Sequence, residues 1–185
     1  AIRRLQKEKE ELENEVKKLK GEVVAEVSND TDQPLLDVST SISDNYVSDE
    51  ELKVEIHKMI NSIDSMDKLN KVKEELEDRF GKISDNMDIY MHNELFEHIA
   101  NSLDIKNIKQ NRNYVEIIVP EFVFEKIKID DLFIESQRIS RMFRFTTRGR
   151  YLVIVLDTVK LEKHFVYYML ELFLYIKNTF YLFLR

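Results

Sequence analysis

The hydrophobic period of this chain changes near residue 105, and that change limits the folds that are open to it. Before residue 105, apolar residues recur every three or four positions, which is typical of one face of an α-helix. After it, apolar and polar residues alternate in short segments, which is typical of β-strands. The pattern predicts an α+β fold in which three helices precede an antiparallel sheet of about four strands and a C-terminal helix.

Three serines mark the expected starts of the helices. Ser48 and Glu51 fit a capping box, the second helix starts near Ser65, and the third starts near Ser84. A glycine, Gly81, is expected to close the second helix. The apolar residues that share a face are Leu52, Ile56, Met59, Ile60 and Ile63 in the first helix, Leu69, Val72, Leu76 and Phe80 in the second, and Met87, Met91, Leu95, Ile99 and Leu103 in the third.

The strands are expected to form two hairpins. The first joins residues 105–110 to residues 114–119, and the second joins residues 142–147 to residues 151–157 around Arg148-Gly149-Arg150. The four segments together predict the antiparallel sheet.

The segments around the second hairpin are expected to be helical in part. Asp130 or Asp131 would cap a short helix that runs to Arg138, whereas residues 122–124 fit either a strand or irregular packing. A final helix is expected from Val159 onward. Because its apolar part contains Glu171, Lys177 and Asn178, we expect a packed helix rather than a membrane span.

Charge and composition divide the chain into three parts. Residues 1–21 predict a charged connecting helix with heptad-spaced apolar residues, which ends at a glycine. Residues 22–47 contain no base and read as an acidic linker, in which Leu35, Leu36 and Val38 would also suit an extended strap on a partner. Residues 48–185 form the α+β domain, with an acidic half before a basic half.

The composition argues against catalytic and metal chemistry in this chain. There is no Cys, and the 3 Gly lie far apart, which disfavours both Cys-based zinc sites and phosphate-binding loops. His92 and His98 are six positions apart and do not share a helical face, although Glu94 and His98 do. We therefore expect no catalytic residues, no cofactor and no metal. The absence of a signal-peptide pattern favours a cytoplasmic location.

The exposed face of the second predicted helix carries Glu75, Asp78 and Arg79. These residues are spaced i, i+3 and i+4, whereas Leu76 and Phe80 are expected to be buried. Acids and a base in this arrangement form either a self-neutralising solvated face or a docking patch for a complementary surface.

A run of arginines lies in the basic half of the domain. Arg138, Arg141, Arg144, Arg148 and Arg150 fall within a segment that contains no acid, with phenylalanines between them. Such a run suits contact with nucleic acid. However, successive residues of a strand point to opposite faces, so the five arginines need not form one patch. The favoured alternative is that these arginines neutralise the acidic half of the domain or contact an acidic partner.

Two helical motifs resemble a known family. Residues 48–56, Ser-Asp-Glu-Glu-Leu-Lys-Val-Glu-Ile, and residues 75–81, Glu-Leu-Glu-Asp-Arg-Phe-Gly, resemble the C-terminal (TRCF) domain of bacterial transcription-repair coupling factor, Mfd. The resemblance extends over residues 1–160 in the order of elements. Residues 6–18 look like an insertion in the family's linker, and the family's two-proline strap is reduced to residues 33–36.

The resemblance implies a role for the domain within a larger protein. It implies a parent that is an ATP-dependent DNA translocase of nucleotide excision repair, which displaces stalled RNA polymerase and recruits UvrA. It also implies that this non-catalytic domain docks on the parent's UvrB-like N-terminal module, with Glu75, Asp78 and Arg79 as the docking face, and so autoinhibits the parent. The other hypotheses are a nucleic-acid-binding module and a homo-oligomer formed through residues 1–21 or the C-terminal helix.

Overall fold

The computed structural model of the protein describes residues 35–184. The predicted connecting helix, residues 1–21, lies outside the described residues, and so does the part of the linker up to residue 34. The described residues form six helices and one four-stranded antiparallel sheet, which confirms the predicted α+β fold.

The three predicted helices are present, each with a side-chain cap at its start. They are α1 (Glu50–Asn61), α2 (Met66–Phe80) and α3 (Asp85–Ser102). Ser65 and Ser84 cap α2 and α3 as predicted. The capping box at Ser48 is wrong by one residue, because the Asp49 carboxylate accepts the hydrogen bond from the Leu52 amide, at 3.0 Å.

Gly81 ends α2 in a conformation that favours glycine. Its φ is +91°, a backbone conformation that residues with a side chain rarely adopt. The Gly81 amide still donates to the Glu77 carbonyl, at 3.0 Å, so the last turn of α2 is closed before the chain changes direction. The predicted helix stop is confirmed.

The sheet follows the two predicted hairpins. Its strands are β1 (Ile108–Gln110), β2 (Tyr114–Val119), β3 (Phe143–Arg148) and β4 (Tyr151–Asp157), in the order β1-β2-β4-β3 with all neighbours antiparallel. In this order the two central strands come from different hairpins, and β1 and β3 are the edge strands. The first strand is shorter than predicted, starting at residue 108 instead of residue 105.

Two helices connect β2 to β3, namely α4 (Glu121–Phe124) and α5 (Ile129–Ile139). Residues 122–124 are therefore helical rather than a strand, since Pro120 stops β2 and its carbonyl accepts hydrogen bonds from Val123 and Phe124. The cap predicted at Asp130 or Asp131 is also wrong. The N-cap position is Lys128, and both aspartates lie inside the first turn of α5. There their negative charges interact favourably with the positive end of the helix dipole.

The last helix, α6 (Phe165–Leu182), starts later than predicted. Residues after β4 are held in a turn instead, because the Asp157 carboxylate accepts a hydrogen bond from the Val159 amide at 3.0 Å. His164 then caps α6 by accepting from the Val166 amide at 3.2 Å. Among the helices of residues 35–184, none combines the length and the apolar character that crossing a membrane would require.

The core joins the helices to one face of the sheet. Alternate residues of β2 and their partners on β4 are buried, and Phe96 of α3 meets Phe173 of α6 edge-on, with ring centroids 5.3 Å apart. The residues 35–47 also enter this core. Leu36, Ile42 and Val47 are each no more than 7 % exposed, so this part of the predicted linker packs on the domain itself.

Candidate docking surface

Helix α2 has one buried face and one charged, exposed face. Leu69, Val72 and Leu76 are buried, and Leu76 has no exposed surface at all. Glu75, Asp78 and Arg79 are all exposed. The structure therefore brings the three predicted residues together on the solvent side of one helix, on either side of a leucine that belongs to the core.

Arg79 links this face to the neighbouring helix α1. Its Nη1 lies 2.9 Å from Oε1 of Glu55 and 3.5 Å from Oε1 of Glu75, and its guanidinium carbon lies 4.9 Å from the centre of the Phe80 ring. The hydrogen bond from Arg79 holds the pKa of the Glu55 carboxyl below its ordinary value. Glu55 thus belongs to the same surface, and we call Glu55, Glu75, Asp78 and Arg79 the docking surface.

The end of α2 is fixed by the segment that precedes α1. The Tyr46 hydroxyl donates towards the carbonyls of Gly81, at 2.9 Å, and Leu76, at 3.2 Å. The Tyr46 ring also contacts Phe80, with ring centroids 6.2 Å apart. Phe80, predicted to be buried, is only half-buried and lies between Tyr46 and Arg79. The end of α2, which carries Asp78 and Arg79, is therefore held in contact with the segment before α1.

The sequence could not indicate Glu55 or Tyr46 as parts of this site. Both precede α2 in the chain: Glu55 reaches Arg79 because α1 packs on α2, and Tyr46 reaches the end of α2 from the segment before α1. A regular spacing signals neighbours on one helix, whereas contacts between helices leave no such signal.

Of the five arginines of the basic half, Arg144 and Arg148 share β3, whereas the others lie on α5 and in the turns beside β3, and carboxylates neutralise most of them. Arg138 on α5 contacts both Glu135, at 2.6 Å, and Glu171, at 2.8 Å. The other pairs are Arg144 with Asp157 at 3.9 Å, Arg148 with Glu116 at 2.9 Å and Arg150 with Glu121 at 3.7 Å. Within residues 35–184, Arg141 is the one member of this group without an ion pair.

The histidines and acids of α3 do not assemble a metal site. The residues that the structure describes contain no group of three His, Asp or Glu side chains that could hold a metal ion. His92 packs edge-on against Tyr167, with ring centroids 4.7 Å apart, while His98 is exposed. Glu94 is half-buried, and burial together with the charge of Glu97 raises its pKa to about 7.

The sequence was compared with models of known protein families. The profile of the TRCF domain matches residues 36–129, which is half of the chain and includes both helical motifs. The chain belongs to the TRCF domain family. The resemblance drawn from residues 48–56 and 75–81 is thereby confirmed. The TRCF domain is a non-catalytic domain of transcription-repair coupling factors, which act in DNA repair.

The fold is also that of a solved member of this class. The structure is similar to a crystal structure described as the C-terminal domain of transcription-repair coupling factor, with a TM-score of 0.63 and 21 % sequence identity. The similarity covers 79 % of this chain and 89 % of that one. A search of curated proteins gave no match.

Proposed function

We propose that this TRCF domain regulates a transcription-coupled repair protein by docking on the UvrB-like module of the same parent chain. In the docked state it holds the ATP-driven motor repressed and masks the surface that binds UvrA. One observation carries the proposal. Glu75, Asp78 and Arg79 are exposed side by side on α2 of a TRCF domain, while Leu76 between them lies in the core.

The charge of the docking surface defines the partner that it fits. It presents three carboxylates, on Glu55, Glu75 and Asp78, and the single guanidinium of Arg79. A complementary surface is therefore basic, with one acid placed to form an ion pair with Arg79 in place of Glu55. Opposite charges across an interface set its specificity and its association rate more than its affinity.

Weak contacts of this kind suit a reversible restraint. Exposed ion pairs contribute little net free energy, since solvent and salt screen them. A tethered domain nevertheless faces its partner at an effective concentration of about 1 mM, so that a modest affinity keeps it docked. A competitor for the same surface then suffices to release it.

A binding experiment tests this proposal directly. The full chain is mixed with the isolated UvrB-like module, and we expect binding that weakens as salt rises. Replacing Glu75, Asp78 and Arg79 by alanine should abolish that binding. Lys128, Asp130 and Asp131 provide a matched control, because they are also one base and two exposed acids and lie on or next to α5. If the control triple variant weakens binding as much as the α2 variant, the docking surface is assigned wrongly.

Direct nucleic-acid binding through Arg138–Arg150 remains the second candidate, and the ion pairs weigh against it. Phosphates would have to displace carboxylates from four of the five arginines. Titration with duplex and single-stranded DNA at several salt concentrations separates the two functions. Tight binding with a steep salt dependence would favour this second function.

Homo-oligomer formation is the third hypothesis. At the end of α6, Leu182, Phe183 and Leu184 are exposed and could contact a second copy. Sedimentation of the full chain and of a chain lacking residues 1–21 distinguishes this contact from one made by the heptad segment.

A further inference from the structure

A single hydroxyl group closes the end of α2. The Tyr46 hydroxyl has one proton and lies within hydrogen-bond distance of two carbonyls, that of Gly81 at 2.9 Å and that of Leu76 at 3.2 Å. Leu76 belongs to α2, whereas Gly81 follows the last residue of the helix. The hydroxyl therefore links the helix to the glycine at which the chain changes direction with a φ of +91°.

The segment before α1 holds Tyr46 in this position. The Tyr46 amide donates to the Ser43 carbonyl at 3.0 Å, and the Val47 amide donates to the same carbonyl at 3.1 Å. The Val47 side chain is buried in the core, and the Tyr46 ring contacts Phe80 of α2. Burial and the charge of Glu77 raise the pKa of Tyr46, so the hydroxyl keeps its proton at neutral pH and remains a donor.

The charged residues of α2 are not equally close to this hydroxyl. Asp78 and Arg79 lie in the last turn, which ends at Phe80, whereas Glu75 lies one turn earlier. The Phe80 ring also supports Arg79, whose guanidinium carbon lies 4.9 Å from the ring centre, and the Tyr46 ring contacts Phe80 in turn. The last carbonyls of a helix lack partners within the helix, so its last turn frays most easily. The geometry of Asp78 and Arg79 therefore depends on Tyr46 more than that of Glu75 does.

We propose that Tyr46 is a positioning residue for docking, and that its hydroxyl holds Asp78 and Arg79 in the geometry that the partner recognises. Its role rests on the proposed docking through α2, because the hydroxyl fixes the end of that same surface. Tyr46 acts through the last turn of α2 and the Phe80 ring rather than by touching the partner. Without the hydroxyl, docking has to order the last turn first, and this ordering lowers the affinity.

The variant Tyr46→Phe removes the hydroxyl and keeps the ring, and it is tested first in the free chain. Amide hydrogen exchange of residues 78–81 should become about three- to tenfold faster, as expected for the loss of one hydrogen bond. Exchange of residues 71–74, in the middle of α2, should not change. Tyr175→Phe is the matched control, since Tyr175 is also half-buried but lies on α6. Unchanged exchange of residues 78–81 in Tyr46→Phe would overturn the proposal.

The second measurement is the binding of each full chain to the UvrB-like module. Tyr46→Phe should weaken binding about three- to tenfold, whereas Tyr175→Phe should bind as the wild type does. A double-mutant cycle separates positioning from a general loss of stability. Tyr46→Phe should weaken binding by a smaller factor in an Arg79→Ala background, where the supported side chain is already missing, than in a Glu75→Ala background. Equal factors in the two backgrounds would overturn the positioning role.

The binding measurement also separates the role of Tyr46 from docking itself. A wild-type chain that does not bind the UvrB-like module would refute the proposed docking, and the role of Tyr46 with it. Normal binding by both the wild type and Tyr46→Phe would refute the role of Tyr46 alone. All chains are compared at a temperature at which each is folded, so the test holds even if Tyr46→Phe melts early.

Discussion

At the scale of single residues, the α2 face shows what a sequence can and cannot predict. The 3–4 spacing of Leu69, Val72 and Leu76 predicts their burial, and the structure confirms it. The same spacing places Glu75 and Arg79 together. It could not predict that Arg79 reaches Glu55, since that contact depends on how α1 and α2 cross.

Substitutions on the two faces of α2 should therefore differ in their effect on stability. Leu76→Ala should lower the free energy of unfolding by about 2–5 kcal/mol, because it leaves a cavity in a core without exposed surface. The triple alanine variant of Glu75, Asp78 and Arg79 should melt close to the wild type, since exposed positions contribute little. Thermal melting of both variants checks this. A triple variant that melts as early as Leu76→Ala would make the charged residues structural.

Glu94 should give the domain a pH-dependent stability. Its folded pKa of about 7 lies above the ordinary value of 4.5, so the folded state holds a proton that the unfolded state has lost. Stability from this group is therefore present at low pH and is lost as pH rises from about 4.5 to about 7. Glu94→Gln should remove the loss and raise stability at neutral pH by about 1–2 kcal/mol, allowing for solvent access. Denaturant unfolding at several pH values checks this, with the exposed Glu74→Gln as control. Parallel pH profiles of wild type and Glu94→Gln would contradict the prediction.

At the scale of elements, the sequence predicts which segments are helices and which are strands better than it predicts where each one starts and ends. Helix caps depend on which of two neighbouring polar residues reaches the first turn, and so Asp49 replaces Ser48. The late start of α6 follows from a turn held by Asp157, which the apolar pattern does not show. The largest difference between prediction and structure is the segment 35–47. Its polar composition predicts a linker, whereas Leu36, Ile42 and Val47 are buried in the core. Its position also depends on a distant group, since the Glu97 carboxylate accepts from the Leu35 amide at 2.9 Å.

Two truncated chains should measure what this segment contributes. A chain that begins at residue 48 lacks Leu36, Ile42 and Val47, whereas a chain that begins at residue 34 keeps them. The shorter chain should melt at a lower temperature, because it loses three buried side chains and exposes the core surface that they cover. Thermal melting of the two chains decides it. Equal melting temperatures would mean that residues 35–47 rest on the domain without stabilising it.

At the scale of the whole molecule, the change of hydrophobic period was enough to predict the fold class. Three helical segments come first and the strands follow in two hairpins, so an α+β arrangement with an antiparallel sheet was the expected result. The distribution of charge was harder to interpret. Four of the five arginines are paired with carboxylates, which lie on five different elements, and distance along the sequence conceals most of these pairs. What the domain presents to partners is therefore a set of local surfaces rather than one basic face.

If the charged face of α2 restrains the parent motor, loss of that face should raise basal ATP hydrolysis by the full-length parent. The parent carrying alanine at Glu75, Asp78 and Arg79 should hydrolyse ATP faster than the wild type and should bind UvrA more readily, while this domain melts normally. The same parent with alanine at Lys128, Asp130 and Asp131 should behave as the wild type. Wild-type ATP hydrolysis and UvrA binding in the α2 variant would show that these residues are only a solvated helix face.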